Sequence, residues 1–386
     1  MTRRISILGV TGSIGASTVS VLEHQAEGAF AVEAVTGARN IAGLAERARS
    51  LRAGVAVTAD PALYGDLKDA LAGSGVEAAA GPEALVEAAS RPADIVMSAI
   101  VGAAGLAPTL AAARAGASVA LANKECLVAA GDLFIREVEA AGSTLLPVDS
   151  EHNAIFQLVE GEAARIERLI LTCSGGPFRT WGMEELATAT AAQAVKHPQW
   201  DMGAKISIDS ATLFNKALEM IEAHHLFAVA PGQVEVIIHP QSIIHSMIGF
   251  HDGSILAHLG PPDMRVAISH ALTWPERGAL PVERLDFARL ASLTFEAPDA
   301  TRFPAIRLAR EAMDRGGLAG CVLNGAKEVA LEAFMAGRIG FLDMAALVEE
   351  VMDSLSHLDA ATGLEDVYDA DAAARRGMAD LIAARS

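Results

Sequence analysis

The sequence predicts an α/β protein: a parallel sheet wrapped by helices over 1–150, a mixed α/β segment over 151–275, a linker over 276–300 and a helical bundle over 301–386. Three observations predict it. Short β-branched runs alternate with Ala-rich helical stretches through the first part, the pattern of a parallel sheet covered on both faces. The first of those runs ends in a Gly-rich turn, Gly9-Val10-Thr11-Gly12-Ser13-Ile14-Gly15, that opens a helix. Beyond residue 300 the chain is rich in Ala, Glu and Leu at helical period, with little strand signal.

Taken in order, Ile5–Leu8, Ala31–Thr36, Val55–Thr58, Asp94–Ile100, Ser118–Ala122 and Thr144–Val148 read as strands, with helical segments such as Ala42–Leu51 and Glu83–Ala89 between them. The middle part is mixed. Arg168–Cys173 and Val234–Ile238 read as strands, and Ile243–Gly249 and Ser254–Leu259 as two more joined by the turn His251-Asp252-Gly253. Ala211–Ala223 carries Leu213, Phe214, Leu218 and Ile221 at helical spacing, and Ser210 stands where that helix would start, as its N-cap or as a ligand group. Pro275, Pro281, Pro298 and Pro304 mark the linker.

Composition narrows the function. The 386 residues are 52% hydrophobic and 20% charged, as in a globular chain with a sizeable core. With 48 acids against 30 bases the formal charge is −18, which repels nucleic acid and anionic lipid as bulk partners. An anionic ligand then needs a local cluster of Lys, Arg or backbone donors. Cys126, Cys173 and Cys321 are odd in number and widely spaced, which argues against a disulfide framework or a zinc site and for a reducing, cytoplasmic setting. The chain enters its first strand without a targeting segment. Ile95–Ala113 is uncharged and long enough to span a bilayer, but Gly102, Gly105 and Pro108 break it, so strand, turn and helix are expected.

The Gly-rich turn is the first candidate site. A strand-to-helix turn aims backbone N–H groups and the helix dipole at an anion, and glycines let a pyrophosphate approach. Its G-x-x-G-x-x-G spacing also suits an ordinary turn. The second strand sharpens the reading. It ends in Gly37-Ala38-Arg39-Asn40, where an NAD site usually places an acid; a guanidinium there favours the 2′-phosphate of NADP. A Rossmann-type NADPH-binding domain is expected over 1–150.

The second candidate is Asp149-Ser150-Glu151. In an extended segment, residues i and i+2 point the same way, and two convergent acids invite a hard divalent cation such as Mg²⁺ or Mn²⁺. The same spacing serves a solvated turn. Asn215, Lys216 and Glu219 share one helical face, either as a solvent stripe or with Glu219 on a metal and Asn215 and Lys216 on a phosphate. Ser174, in Ser174-Gly175-Gly176-Pro177, follows a strand and offers a hydroxyl beside flexible backbone donors. His197-Pro198-Gln199-Trp200-Asp201-Met202-Gly203 reads as a loop whose Trp is either a lid or a buried anchor. Asn123-Lys124-Glu125 lies at a strand's carboxyl end, where ligands bind in open α/β sheets. His239, His245, His258 and His270 lack zinc-ligand spacing and are taken as structural.

These stretches, with the runs 99–106 and PVDSEHNAIFQ and HPQSIIHSM, resemble the 1-deoxy-D-xylulose 5-phosphate reductoisomerase family along nearly the whole chain. The resemblance implies an NADP-dependent oxidoreductase that converts 1-deoxy-D-xylulose 5-phosphate into 2-C-methyl-D-erythritol 4-phosphate, on the non-mevalonate route to isoprenoid precursors. The skeleton would rearrange by retro-aldol cleavage and re-addition before NADPH reduces the aldehyde. The resemblance further implies Mg²⁺, Mn²⁺ or Co²⁺ on Asp149, Glu151 and Glu219, and substrate phosphate on Ser174, Ser210, Asn215 and Lys216. Lys124, Ser150, Glu151 and His197 would surround the sugar, with Lys124 and Glu151 moving protons and Trp200 covering the substrate. Cofactor contacts fall on Thr11, Gly12, Ser13, Ile14, Gly37, Arg39, Asn40, Asn123, Glu125 and Gly203. A catalytic domain over 151–275 and a homodimer follow from the same likeness. The chain departs from the pattern at Cys126 and Cys173, where small residues are common, and at Ala204, a position often basic; the turn after the second strand leaves the match between Ala38 and Arg39 open. Two other readings stand beside this one: a non-catalytic NADP(H)-binding sensor and a metal-free NADP-dependent dehydrogenase.

Overall fold

The computed structural model describes residues 2–159, 165–200 and 203–385. The chain forms two compact units, each made of separated stretches. The first comprises Met1–Cys126, Phe134–Asn153 and Asp263–Glu283, and the second Leu127–Leu133, Ala154–Pro262 and Arg284–Ser386. The boundaries expected at 150, 275 and 300 do not coincide with these units. Composition along the chain carries no mark of a segment that returns to pack on an earlier one.

The first unit holds a seven-stranded sheet of β1 (Arg3–Leu8), β2 (Phe30–Gly37), β3 (Val55–Thr58), β4 (Glu77–Ala80), β5 (Ile95–Ser98), β6 (Ser118–Leu121) and β7 (Leu145–Pro147). Their order is β4-β3-β2-β1-β5-β6-β7, and every pairing is parallel. The β-branched runs are buried on both faces, as a parallel sheet requires; Ile5, Ile7, Val55, Val57 and Val119 have no exposed surface. β4 was missed because Glu77-Ala78-Ala79-Ala80 has no β-branched residue and occupies the sheet's edge. The stretch Ile95–Ala113 resolves into β5, a short 3₁₀ turn and the helix Leu106–Arg114, and no helix among the described residues is long and apolar enough to cross a membrane.

The returning segment supplies the helix Met264–Thr273. It is tied to the sheet by Arg3, whose guanidinium donates to the carbonyls of Leu272 at 3.0 Å and Trp274 at 3.1 Å. His270 on this helix accepts from Asn153 Nδ2 at 3.2 Å, and the same amide reaches the Pro147 carbonyl at 2.9 Å. The neutral imidazole is the form that accepts, and burial with the nearby Arg277 charge lowers its pKa to about 4.

The second unit contains β8 (Ile166–Cys173), β9 (Val234–Ile238), β10 (Ile244–Phe250) and β11 (Ile255–Leu259) in the order β11-β10-β8-β9. β8 and β9 are parallel; β10 runs antiparallel to β8 and β11. The expected turn closes β10 to β11, with Gly253 at φ +85° and Ser254 N–H on Asp252. The expected bundle is present as helices Ala305–Arg315, Ala319–Met335, Phe341–Ser354 and Leu364–Arg385, but it has no core of its own. One apolar cluster runs from Leu169 and Leu171 on β8 through Phe178 and Phe214 to Phe334, Phe341 and Met378. Phe178 meets Phe341 edge-on at 5.1 Å, and Phe341 meets Phe334 at 5.9 Å.

Helix Phe214–Phe227 packs in this unit against residues 127–133. The contact is so close at Gly131 that a Cβ there would sit 2.1 Å from His225 Nε2. Burial, with the neighbouring His224 charge, lowers the His225 pKa to about 4 although Asp132 opposes the shift.

Two outcomes follow. Phe341→Ala should cost about 3–5 kcal/mol in denaturant unfolding and lower the stability of β8 and the C-terminal helices together; hydrogen exchange that opens only the helices would contradict a shared core. His225 and His270 stay neutral in the fold down to about pH 4, whereas the unfolded chain protonates them around the ordinary histidine value of 6.5. Their contribution is therefore flat above pH 6.5 and turns destabilising as pH falls from 6.5 towards 4. The thermal midpoint should fall through that window, and less steeply in a His270→Gln variant.

Candidate active site

In the first unit the site follows from strand direction. Strand order reverses between β1 and β5, and in parallel sheets ligands bind at such a switch point, outside the carboxyl ends of the strands. The Gly9–Gly15 turn leaves β1 there. Gly9 has φ +88°, and a Cβ would lie 2.5 Å from the Ala99 carbonyl oxygen beyond β5. Thr36 holds the turn from the next strand, its hydroxyl accepting from Gly9 N–H at 2.9 Å and its carbonyl from Val10 N–H at 2.8 Å. Helix Ser13–Glu23 begins with Gly12 as N-cap and no side-chain capping bond, so its first N–H groups suit an anionic oxygen. Gly12 and Ser13 are exposed, and Thr11 and Ile14 half-buried.

The β2 turn lies on the same edge. Arg39 is 86% exposed and has Asp60 3.4 Å from its Nε, so its guanidinium is available to a phosphate. Asn40 caps helix Ile41–Ser50, its Oδ1 accepting from Gly43 N–H at 3.0 Å. Gly37 is buried against Thr11 and Leu44. At the β6 end, buried Asn123 donates through Nδ2 to the carbonyls of Ile100 and, at 3.0 Å, Gly102, bracing the loop after β5; its Oδ1 has no hydrogen-bond partner among the described residues. That inward-facing acceptor and the uncapped helix start fit a dinucleotide with an amide at one end and phosphates at the other. Glu125 stands in the first turn of helix Glu125–Ala141.

Lys124 Nζ lies 2.6 Å from Asp149 Oδ2. The extended i, i+2 geometry expected for Asp149 and Glu151 is not what forms. Ser150 starts helix Ser150–Leu158, so Glu151 sits in a helical first turn, where its carboxylate favours the dipole. Ser150 Oγ donates to Glu151 at 2.6 Å, and Ser150 N–H to Asp149 Oδ1 at 3.1 Å. Both carboxylates remain on the sheet's ligand edge. They are oxygen donors suited to a hard cation, and the Lys124 ammonium already occupies Asp149 with a charge of that sign.

In the second unit, Asn215, Lys216 and Glu219 meet on one face of helix Phe214–Phe227. Asn215 Nδ2 donates to Glu219 Oε1 at 2.5 Å, and Lys216 Nζ pairs with Oε2. The solvated-stripe alternative fails, since Lys216 is 2% and Glu219 0% exposed. A carboxylate held out of water needs such partners. Ser210 is not the N-cap of this helix. It lies in the last turn of a separate helix, Ala204–Ala211, and Leu213 at φ +60° precedes Phe214. The kink places Ser210 against the Ser174 turn: a Cβ on Gly176, at φ +67°, would be 2.8 Å from the Ser210 carbonyl oxygen.

His197 joins the Ser174 turn to the Gln199–Trp200 loop. Its Nδ1 accepts from the N–H groups of Gln199 at 3.1 Å and Trp200 at 2.9 Å, which leaves the proton on Nε2, 2.8 Å from Ser174 Oγ. Burial lowers the His197 pKa to about 4, so the ring is neutral near pH 7. Ser174 Oγ accepts from this imidazole and from Gly176 N–H at 3.1 Å, and its own proton remains to be donated to an anion. Trp200 is half-buried, 6.4 Å from the His245 ring. Asp201 and Met202 of the expected lid lie outside the described residues; Gly203 caps helix Ala204–Ala211. His239 is structural as expected, its Nδ1 bonded to the Thr294 carbonyl and its Nε2 accepting from Ile243 N–H. Sequence reasoning missed Thr36 and Asp60. Their partners, Gly9 and Arg39, are more than twenty residues away, and the sequence offers only the polar Thr at the end of an apolar strand as a signal for one of them.

Comparison with known proteins agrees with these motifs. Three family models match: 1-deoxy-D-xylulose 5-phosphate reductoisomerase over residues 5–131, its C-terminal domain over 145–227, and the DXP reductoisomerase C-terminal domain over 259–377. The 1-deoxy-D-xylulose 5-phosphate reductoisomerase of Rhizobium meliloti (strain 1021) is 62% identical over 382 residues, 98% of each chain. The Zymomonas mobilis enzyme, solved in complex with NADPH, is 52% identical with a TM-score of 0.94 over 99% of each chain. A DOX-P reductoisomerase solved with NADPH, fosmidomycin and magnesium is 41% identical, with a TM-score of 0.93 over 98% of each. The chain belongs to the 1-deoxy-D-xylulose 5-phosphate reductoisomerase family.

Proposed function

We infer that this chain is an NADPH- and divalent-metal-dependent oxidoreductase that rearranges and reduces 1-deoxy-D-xylulose 5-phosphate to 2-C-methyl-D-erythritol 4-phosphate in isoprenoid precursor synthesis. The 62% identity across 98% of the chain carries this reading.

The residue roles are our assignment. Asp149, Glu151 and Glu219 hold the metal. NADPH lies along the switch point, with phosphates on Thr11, Gly12, Ser13 and Ile14, the 2′-phosphate on Arg39, and further contacts from Gly37, Asn40, Asn123, Glu125 and Gly203. When bound, the cation supplies Lewis-acid polarisation of the substrate's carbonyl and hydroxyl oxygens, and NADPH supplies the hydride. Ser174, Ser210, Asn215 and Lys216 bind the substrate phosphate. The Ser174 proton left for an anion supports this, as does the buried ammonium of Lys216 on helix Phe214–Phe227. Lys124 gives and takes a proton at a sugar oxygen, a reading its pairing with Asp149 supports; Ser150, Glu151 and His197 orient the sugar. Trp200 covers the substrate and excludes water. A homodimer in the cytoplasm completes the proposal, with the cofactor contacts concentrated in residues 1–150 and the phosphate contacts in residues 151–275.

A chelator should abolish substrate-dependent NADPH oxidation, and Mg²⁺ or Mn²⁺ should restore it. Asp149→Asn should lower kcat/KM by roughly 100-fold or more, at least what loss of an outer-shell metal partner costs. Full turnover in chelator, or an unimpaired Asp149→Asn, would favour a metal-free dehydrogenase; cofactor binding without any turnover would favour a sensor. Arg39→Asp should weaken NADPH by about 10–100-fold, the loss of one or two charge-assisted hydrogen bonds, while NADH binding barely changes. Equal losses for both cofactors, measured by fluorescence titration, would move the 2′-phosphate site elsewhere.

A further inference from the structure

Helix Ala204–Ala211, which carries Ser210, is only two turns long and ends at the left-handed Leu213. Backbone bonds alone do not hold so short a helix in place. Its apolar side is fixed by the buried Ile208 and Ala211. On another side Asp209 Oδ2 meets Lys327 Nζ at 2.9 Å, with Asp209 8% and Lys327 3% exposed. Lys327 belongs to helix Ala319–Met335, 118 residues away in sequence, and that helix reaches the short one a second time through Lys205 and Glu332, 2.8 Å apart at the surface.

A buried ion pair is a poor source of stability. Taking both charges out of water offsets most of their attraction, and an apolar pair of similar size often does as well. What the pair adds is direction, because an ammonium and a carboxylate accept few relative positions that an apolar contact would tolerate. Asp209 is the residue next to Ser210, and the Ser210 backbone packs on Gly176 of the turn that presents the Ser174 hydroxyl. A shift of Asp209 therefore moves both hydroxyls.

We propose that Lys327 is a positioning residue for the substrate's phosphate: through Asp209 it sets where Ser210, and with it the Ser174 turn, stands. The proposal rests on the assignment of Ser210 to the phosphate. Lys327 touches neither substrate nor cofactor, and its effect is on phosphate affinity.

The test uses the full chain with Mg²⁺ and NADPH, and the variants Lys327→Met, Lys327→Gln and Ser210→Ala. Lys327→Met should raise KM for 1-deoxy-D-xylulose 5-phosphate about tenfold or more, and weaken competitive inhibition by inorganic phosphate in proportion, with kcat within about threefold and NADPH affinity unchanged. Lys327→Gln keeps a donor for Asp209 and should recover most of that loss. A folded Lys327→Met with the parent KM overturns the proposal, as does a parallel loss of kcat, NADPH affinity and folded fraction with no change in KM. If Lys327→Met does not fold, Asp209→Asn decides: a raised KM for substrate supports the proposal and an unchanged one overturns it. An unchanged KM in Ser210→Ala removes the phosphate assignment itself, and the proposal with it, whatever the Lys327 variants do.

Discussion

A parallel sheet delivers the carboxyl end of every strand to one edge, and the first unit's chemistry depends on that constraint. The chain begins in the middle of its sheet, so β2 to β4 extend to one side of β1 and β5 to β7 to the other. The turn after β1, Arg39 after β2, Asn123 and Lys124 after β6, and Asp149 after β7 all reach the same edge, although these four strand ends lie more than twenty residues apart in sequence. Gly9, in a conformation that favours glycine and close to the Ala99 carbonyl, is where the constraint becomes steric. Its N–H, donated to the Thr36 hydroxyl, then locks the turn to the neighbouring strand.

Within this frame, charge decides where individual groups stand. The protein carries a formal charge of −18, yet the groups assigned to the chemistry include lysines set on carboxylates: Lys124 on Asp149 in the first unit and Lys216 on Glu219 in the second. Each lysine neutralises an acid that burial would otherwise make costly. Each also keeps a cation beside the groups to which the proposal assigns an anionic substrate. Lys327 on Asp209 repeats the arrangement within the second unit, and the part proposed for it is placement. His197 works by hydrogen bonds instead. A neutral ring with Nδ1 accepting from the backbone has one donor left, and that donor fixes the direction of the Ser174 proton.

The fold was largely legible because parallel strands buried on both faces write themselves as β-branched runs. Among the described strands only β4, an alanine-rich edge strand, lacked the signal. The C-terminal helices were legible as helices. Their sharing of one core with β8 was not, because periodicity tells which face is apolar and not what covers it. The same limit explains the helix Met264–Thr273, which joins the first unit from far along the chain.

At the site, the sequence by itself determined the chemical types: glycines at a strand end, a guanidinium where NAD sites carry an acid, a D-x-E pair, and polar groups one helical turn apart. Those follow from local spacing, which short-range geometry dictates. Tertiary structure decided how the groups are used. It turned the D-x-E segment into a helix start, moved Ser210 from the head of one helix to the tail of another, buried Glu219 with Lys216, and set Lys327 on Asp209. Those outcomes depend on which distant segment excludes water from a given side chain, and no local pattern of residues contains that information.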